Sequence, residues 1–175
     1  YCKRLQEIIL PDNLQKLGNY AFMDCDSLKK IDIPTNVKLI GQYAFNGCNN
    51  ITSIGLPDGL SEIGESAFGG CRSLQNINIP QNVKKMGKRA FNGCTSLKQI
   101  TVPNGITTIE DYLFSGCLGV ESIQIPDNIE KIGDYAFSGL TKLQYIDLNK
   151  MGTMPKNLKT IGNRSFFGDG ELMLK

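Results

Sequence analysis

Six cysteines stand at equal intervals along this 175-residue chain, and cysteine is the residue type here with the widest chemistry. A thiol can act as a nucleophile, bind a metal or form a disulfide. The chain has no histidine, which removes the commonest general base and the commonest metal ligand. The cysteines are Cys2, Cys25, Cys48, Cys71, Cys94 and Cys117, always 23 residues apart. Their chemistry therefore depends on what this spacing means for the fold.

The residues before each cysteine repeat with the same period. IGQYAFNGC (40–48) returns as LGNYAFMDC (17–25), IGESAFGGC (63–71), MGKRAFNGC (86–94) and IEDYLFSGC (109–117). Prolines keep the same interval from Pro11 to Pro126, and Pro155 follows after six extra residues. A fixed period of this length indicates stacked coils, each of which buries its apolar side against its neighbours.

Each repeat unit predicts two short strands and a turn. The units begin at Leu5, Leu28, Ile51, Leu74, Leu97, Val120 and Leu143, with the form L-x-x-I-x-I-P-x-x-V-x-x-I-G-x-x-A-F-x-x-C-x-x. In the second unit, Ile31 and Ile33 alternate with polar residues, the period of a half-buried strand. Pro34 ends its pairing. A second extended segment is expected at 37–40, then a helical or 3₁₀ turn at 44–48 whose phenylalanine joins an internal aromatic stack.

These units closely resemble the BspA-like, or Treponema-type, leucine-rich repeat over essentially the whole chain. The resemblance implies an α/β repeat, a leucine-rich-repeat solenoid with a concave parallel sheet and short strand or 3₁₀ turns on the convex side. It also implies a surface or secreted protein that acts in adhesion or protein binding. We expect a single domain over residues 1–175 of about seven coils. Partial repeats at both ends suggest a fragment of a longer array, with any signal peptide outside it.

The cysteines are then expected to be buried, free thiols. All six occupy one inward column with parallel Cβ directions, which is poor disulfide geometry. Where the column continues at Leu140, another apolar residue takes the place. Only Cys2, at the incomplete start, is expected to be accessible. Neither a metal site nor a cofactor is expected.

Other charged clusters favour ion pairs over chemistry. Glu7 and Asp32 stand at a spacing that suits an inverting glycosidase, but Lys30 lies between them. Lys84, Lys85, Lys88 and Arg89 suggest a polyanion site, yet stacking places Lys85 by Glu62, Lys88 by Asp111, and Arg89 over Tyr112. With a net charge of +2, nucleic acid is not an expected partner. No apolar run approaches the length of a membrane span.

Three departures from a featureless repeat remain. Asn50 and Asn163 open sequons for N-glycosylation, which is a weak signal. Glu110 replaces the repeat's glycine and Leu113 its alanine, so a bulge is expected in that turn. Residues 149–154 are inserted in the seventh unit, and Met151 and Met154 there form either a binding loop or local packing.

The sequence thus predicts a noncatalytic binding or adhesion module for a protein or glycoprotein ligand. Alternatives are a passive stalk, or the targeting arm of an enzyme whose catalytic domain lies elsewhere. End-to-end self-association through the incomplete ends is also expected. The candidate binding residues are the outward strand positions and the inserted loop: Lys30, Asp32, Asn76, Asn78, Gln99, Gln124, Tyr145, Asp147, Met151 and Met154.

Overall fold

The chain folds into a solenoid of short parallel strands, described here from a computed structural model. The structure describes residues 2–143, 145–147, 155–168 and 173–174, with side chains for 2–143 and 155–168. Helices do not occur in these ranges. We number the coils after the sequence units: coil 1 (5–27), coil 2 (28–50), coil 3 (51–73), coil 4 (74–96), coil 5 (97–119), coil 6 (120–142) and coil 7 (143–171).

Two rows of strands run along the solenoid. The first row, on the side that leucine-rich repeats make concave, contains Ser53–Ile54 (β3), Asn76–Ile77 (β5), Gln99–Thr101 (β7), Ser122–Gln124 (β9), Tyr145–Asp147 (β11) and Met173–Leu174 (β13). The second row contains Lys16–Leu17 (β1), Leu39–Ile40 (β2), Glu62–Ile63 (β4), Lys85–Met86 (β6), Thr108–Ile109 (β8), Lys131–Ile132 (β10) and Thr160–Ile161 (β12). All pairings are parallel, so residues at the same repeat position form columns.

The register confirms the period and locates the insertion. Ser53 pairs with Asn76, and the other pairs within coils 2–6 show the same 23-residue offset. In the second row, Lys131 pairs with Thr160, an offset of 29, so the six extra residues lie between the two strands of coil 7. At the end of the chain, β13 pairs Leu174 with Ile146. A further repeat unit that opens at Leu172, as coil 7 opens at Leu143, would place residue 175 opposite Ile146, so the observed register differs by one residue.

The interior is a set of apolar columns around a stack of phenylalanine rings. Neighbouring rings lie 5.3–5.9 Å apart between centroids and within 16° of parallel, from Phe22 to Phe166. The rings at Phe45, Phe68, Phe91, Phe114 and Phe137 are fully buried. Small alanines stand beside them, which leaves room for the rings at the density of a protein interior.

The segment expected to form a helical or 3₁₀ turn forms separate turns with i→i−3 hydrogen bonds and no continuous helix. The amide of Asn46 donates to the Tyr43 carbonyl and that of Cys48 to the Phe45 carbonyl, while the amide of Phe45 donates to Ala67 of the next coil. Alternate amides thus bond within the coil and between coils, which prevents a continuous helix. The turn needs a left-handed residue before the cysteine, and six of the seven coils use glycine there, as at Gly47 (φ +73°).

The other glycine column is required by close approach between coils. A Cβ at Gly64 would lie 2.6 Å from the amide nitrogen of Gln42, and one at Gly87 would lie 2.4 Å from that of Glu65. No side chain fits at such distances. The residue after the second strand therefore excludes a Cβ in these coils.

Candidate binding surface

The outward residues of the first strand row form a continuous polar surface, which we call the strand face. Of the predicted binding residues, Lys30, Asp32, Asn76, Asn78, Gln99 and Gln124 are on it and exposed. Neighbouring coils hold these side chains in register, as Thr101 pairs with Gln124 and Asp32 bridges Gly55. The structure therefore brings the predicted strand residues together on one surface.

The remaining predicted residues are less fully described. Tyr145 and Asp147 lie on β11, where their backbones pair with Ser122 and Gln124. Their backbone positions continue the columns of the strand face. Met151 and Met154 lie outside the described residues, so their role stays a prediction.

Charge on the strand face is confined to its ends. In coil 2, the Lys30 ammonium lies 3.1 Å from the Asp32 carboxylate, and both side chains are largely exposed. Coils 3 to 6 present only uncharged groups: Ser53, Gly55, Asn76, Asn78, Gln99, Thr101, Ser122 and Gln124. Within this set the Thr101 hydroxyl donates to Gln124 Oε1 at 3.2 Å. The middle of the face therefore offers hydrogen-bond donors and acceptors without a net field.

A cavity of about 330 Å³ lies at one end of the face, between coils 1 and 2. Its lining includes Glu7, Ile9, Lys30, Asp32 and Asn36. Ile9 is 92% exposed, although it stands in an outward column that is otherwise polar. Ile9 belongs to the outward column of Asp32 and Asn78, although it is not one of the ten candidate binding residues. An isoleucine among outward polar positions was the available signal.

The cysteine column is buried and free of disulfides, as predicted. Among the described side chains, Cys2 is exposed and the other five thiols are buried. The Cys48 thiol donates to the Phe22 carbonyl of the preceding coil at 3.0 Å, and Cys71, Cys94 and Cys117 make the same contact at 3.1–3.2 Å. Burial raises the pKa of Cys48 to about 12 and also raises the pKa of Cys71. Neutral thiols of this kind are poor nucleophiles.

The predicted ion pairs of coils 3 to 5 are present. Lys85 Nζ lies 2.8 Å from Glu62, and Lys88 Nζ lies 2.8 Å from Asp111. The hydrogen bond from Lys88 lowers the pKa of Asp111, and the bond to Glu62 raises the pKa of Lys85. Because Lys85 and Lys88 are paired with carboxylates, the basic cluster carries less unbalanced charge than its four basic residues suggest.

One surface feature was largely missed from the sequence, a convex-side column of aromatic and arginine side chains. Tyr20 stacks on Tyr43, and Tyr112 stacks on Tyr135 with centroids 4.9 Å apart. The Arg89 guanidinium lies 4.5 Å from the Tyr112 ring centre, as expected. Residues of this column have φ between +50° and +60°, so each turn places a non-glycine residue in the left-handed region. Each of these contacts covers one face of a ring, and Tyr20 remains 55% exposed.

The described side chains include no group of three or more His, Cys, Asp or Glu that could hold a metal ion. In the same part of the chain, no helix is long and apolar enough to cross a membrane. Of the two sequons, Asn50 is exposed, whereas Ser165 of the second is buried with its hydroxyl 2.7 Å from the Gly162 carbonyl.

Comparison with known proteins places these features in a family. The model of the BspA-type leucine-rich-repeat region, in six copies, matches residues 1–88 and 61–172. A leucine-rich-repeat protein from Bacteroides ovatus is 33% identical with a TM-score of 0.87, over 98% of this chain and 49% of that one. The leucine-rich-repeat protein of T. pallidum is 30% identical with a TM-score of 0.79, over 90% of this chain and 73% of that one.

A leucine-rich cell surface protein from Faecalibacterium prausnitzii is 26% identical with a TM-score of 0.86, over 97% of this chain and 47% of that one. This chain thus spans about half the length of two of these three similar structures. No protein with a curated description matches it. The 23-residue register, the phenylalanine stack and the family match agree, and the chain belongs to the BspA-type leucine-rich-repeat family.

Proposed function

We propose that this chain is a noncatalytic binding module of a cell-surface or secreted protein, and that it recognises a protein or glycoprotein ligand through the strand face. The observation that carries the proposal is the uncharged and largely exposed surface of coils 3 to 6, whose strands pair in register between coils 3 and 4 and between coils 5 and 6. Uncharged groups at all eight positions are unusual in a chain with 36 Lys, Arg, Asp and Glu residues. Such a surface suits a ligand that is read by hydrogen bonds, with little electrostatic steering.

The proposal extends to the setting of the module. One similar structure is a cell surface protein, and two of the three are about twice as long as this chain. We infer that the seven coils are part of a longer array at the outside of a cell. A noncatalytic role is supported by the neutral buried thiols and by the surface carboxylates that pair with lysine.

The test is a binding screen with matched surface variants. Purified chain is applied to an array of purified extracellular glycoproteins, each also present in enzymatically deglycosylated form. Each positive is measured again with the double variant Asn76→Lys, Gln99→Lys. Lysine is natural in this column at Lys30, so the fold should tolerate the change.

The control is the double variant Ser61→Lys, Thr107→Lys. Each of these residues directly precedes a strand of the second row, away from the strand face, in a column that already contains lysines. We expect the strand-face variant to lose at least about tenfold in affinity and the control to keep it. Affinity should change by less than about threefold between low and high salt, because the strand-face positions of coils 3 to 6 carry no charge to screen. If neither glycoproteins nor their bare proteins bind, the result favours a passive stalk.

A further inference from the structure

Both strand rows are interrupted at the same junction, between coils 4 and 5, which we call the seam. In the first row, one sheet contains β3 and β5 and another contains β7, β9, β11 and β13. In the second row, one sheet ends at β6 and the next begins at β8. Neither row therefore has a strand pairing among the described strands where coil 4 meets coil 5, although the amide of Lys98 still donates to the Gln75 carbonyl at 3.1 Å and that of Asn104 to Gln81 Oε1 at 3.0 Å. A shared position indicates one local cause.

Two backbone hydrogen bonds that recur elsewhere are missing at the seam. The amide of the column glycine donates to the preceding coil at Gly41, Gly64, Gly87, Gly133 and Gly162, at 2.7–2.9 Å. At Glu110 the described contacts include no such bond to Met86. Likewise, Lys84 donates to Ser61 and Glu130 to Thr107, but the bond from Thr107 to Lys84 is absent from the described contacts.

Glu110 explains the gap because it carries a Cβ in a column that has no room for one. A Cβ at the five stacked glycines of this column, Gly41, Gly64, Gly87, Gly133 and Gly162, would lie 2.4–2.7 Å from the backbone of the preceding coil. Real Cβ atoms do not approach backbone so closely, so coil 5 must stand further from coil 4. The same coil has Leu113 in the alanine column. The rings on either side of Phe114 are spaced at 5.6 and 5.9 Å, against 5.3–5.4 Å in coils 1 to 4.

The convex side remains joined across the seam. The amides of Arg89, Phe91 and Gly93 donate to carbonyls of coil 5 at 2.8–3.1 Å. The ion pair of Lys88 with Asp111 and the cation–π contact of Arg89 with Tyr112 also cross it. The sequence predicted a bulge in this turn, yet the turn keeps its bonds and the strand rows open instead.

We propose that the seam is a hinge. Coils 1 to 4 and coils 5 to 7 move as two stacks, the convex turns act as the pivot, and the strand rows open and close. A junction with paired turns on one side and unpaired strands on the other bends more easily toward the unpaired side than any fully paired junction. Glu110 sets its position.

The hinge divides the strand face, a consequence that rests on the proposed function. Asn76 and Asn78 lie on one side of the seam, and Gln99 and Thr101 lie on the other. A ligand that contacts both sides fixes the angle between the two stacks. The closed and open forms therefore present different spacings of the same amide and hydroxyl groups.

The hinge itself is tested without any ligand, by residue-resolved amide hydrogen exchange of the whole chain measured by NMR. We expect the amides of Thr107 and Glu110 to exchange at least about tenfold faster than those of Glu130 and Gly133 one coil later. Equal protection at the two pairs would overturn the proposal, because it would mean that the strand rows are closed at the seam.

Two variants test the cause. Glu110→Gly with Leu113→Ala restores the repeat pattern and should slow exchange at residues 107 and 110 to the level of coil 6. Glu110→Gln keeps the Cβ and removes only the charge, so it should leave exchange fast. Slow exchange in the glutamine variant, or fast exchange in the restored variant, contradicts a steric hinge. Either result is independent of whether the strand face binds a ligand.

Discussion

Removing one ring from the middle of the phenylalanine stack should destabilise the solenoid strongly. Phe91 is fully buried, with ring centroids of Phe68 and Phe114 at 5.4 and 5.6 Å. We expect Phe91→Ala to lower the free energy of unfolding by about 3–5 kcal/mol, the cost of a large buried truncation with its cavity. The loss of two stacked contacts, each worth about 0.5–1.5 kcal/mol beyond area, places it in the upper part of that range.

The assay is urea unfolding followed by circular dichroism, with the midpoint and the slope fitted separately. The control is Asn78→Ala in the same coil, which faces water on the strand face and should cost well under about 1 kcal/mol. A second comparison is Phe22→Ala, since Phe22 is near the end of the stack and contacts one ring instead of two. Its loss should be smaller than that at Phe91. Equal losses for Phe91→Ala and Asn78→Ala would show that the inward and outward assignment is wrong.

Three further outcomes are expected. A thiol-titrating reagent at pH 8 should modify one thiol, Cys2, in the native chain and six after denaturation, whereas two or fewer on denaturation would indicate disulfides. The stability of the fold should decrease as the pH rises from about 9 toward 12, because thiols of the unfolded chain ionise near 9.0 while burial raises the pKa of the folded Cys48 to about 12. Thermal melts at a series of rising pH values measure this decrease. A melting temperature that does not change with pH would contradict it. Gly64→Ala should open a second gap between coils and lower the melting temperature, while Gly18→Ala in the same column should not, since nothing lies within 4 Å of a Cβ there; equal melting temperatures for the two variants would be the contrary result.

The fold was predictable because every level of the sequence repeats. The same coil was indicated by the alternation at Ile31 and Ile33, by the prolines that end the strands and by the phenylalanine column. Stacking of these coils then required parallel strands in register. The inward columns followed without any knowledge of contacts. The free cysteines followed from the same symmetry, because side chains in one column point in one direction and cannot face each other.

What the sequence did not reveal depends on differences between neighbouring coils. The turn has the i→i−3 hydrogen bonds of a 3₁₀ turn, but no continuous helix forms, because hydrogen bonds from Phe45 and its equivalents go to the next coil and compete with bonds inside the turn. A bulge was expected in the turn at Glu110, but that turn keeps its hydrogen bonds, and the interruption of both strand rows was not expected because a repeat consensus gives no distances between coils. The stacking of Tyr112 on Tyr135 was not predicted either. Both residues have a left-handed backbone, which directs their side chains outward and brings the two rings together.

The candidate binding residues show the same limit. Periodicity identified which strand positions face outward, and the exposed polar side chains of Asn76, Asn78, Gln99 and Gln124 confirm that geometry. Whether they bind anything is a matter of chemistry that repeats do not encode. The ligand assignment therefore remains a proposal, supported by the absence of charge over coils 3 to 6.

The stacked thiols have a consequence for how this chain reaches its native state. In the folded protein, Cys48 and its column neighbours are separated from oxidants and hydrogen-bonded to backbone carbonyls. Before folding, the same six thiols are spread evenly along a flexible chain, and any two can react when an oxidant is present. A bridge between neighbouring units closes a loop of about 23 residues, which removes roughly 3 kcal/mol of entropy from the unfolded chain, and it requires a geometry that the parallel cysteine column of the native fold does not provide. Where an oxidant is present, stacking of the coils therefore competes with oxidation of the thiols. Reductant should raise the refolding yield and leave the folded solenoid unchanged.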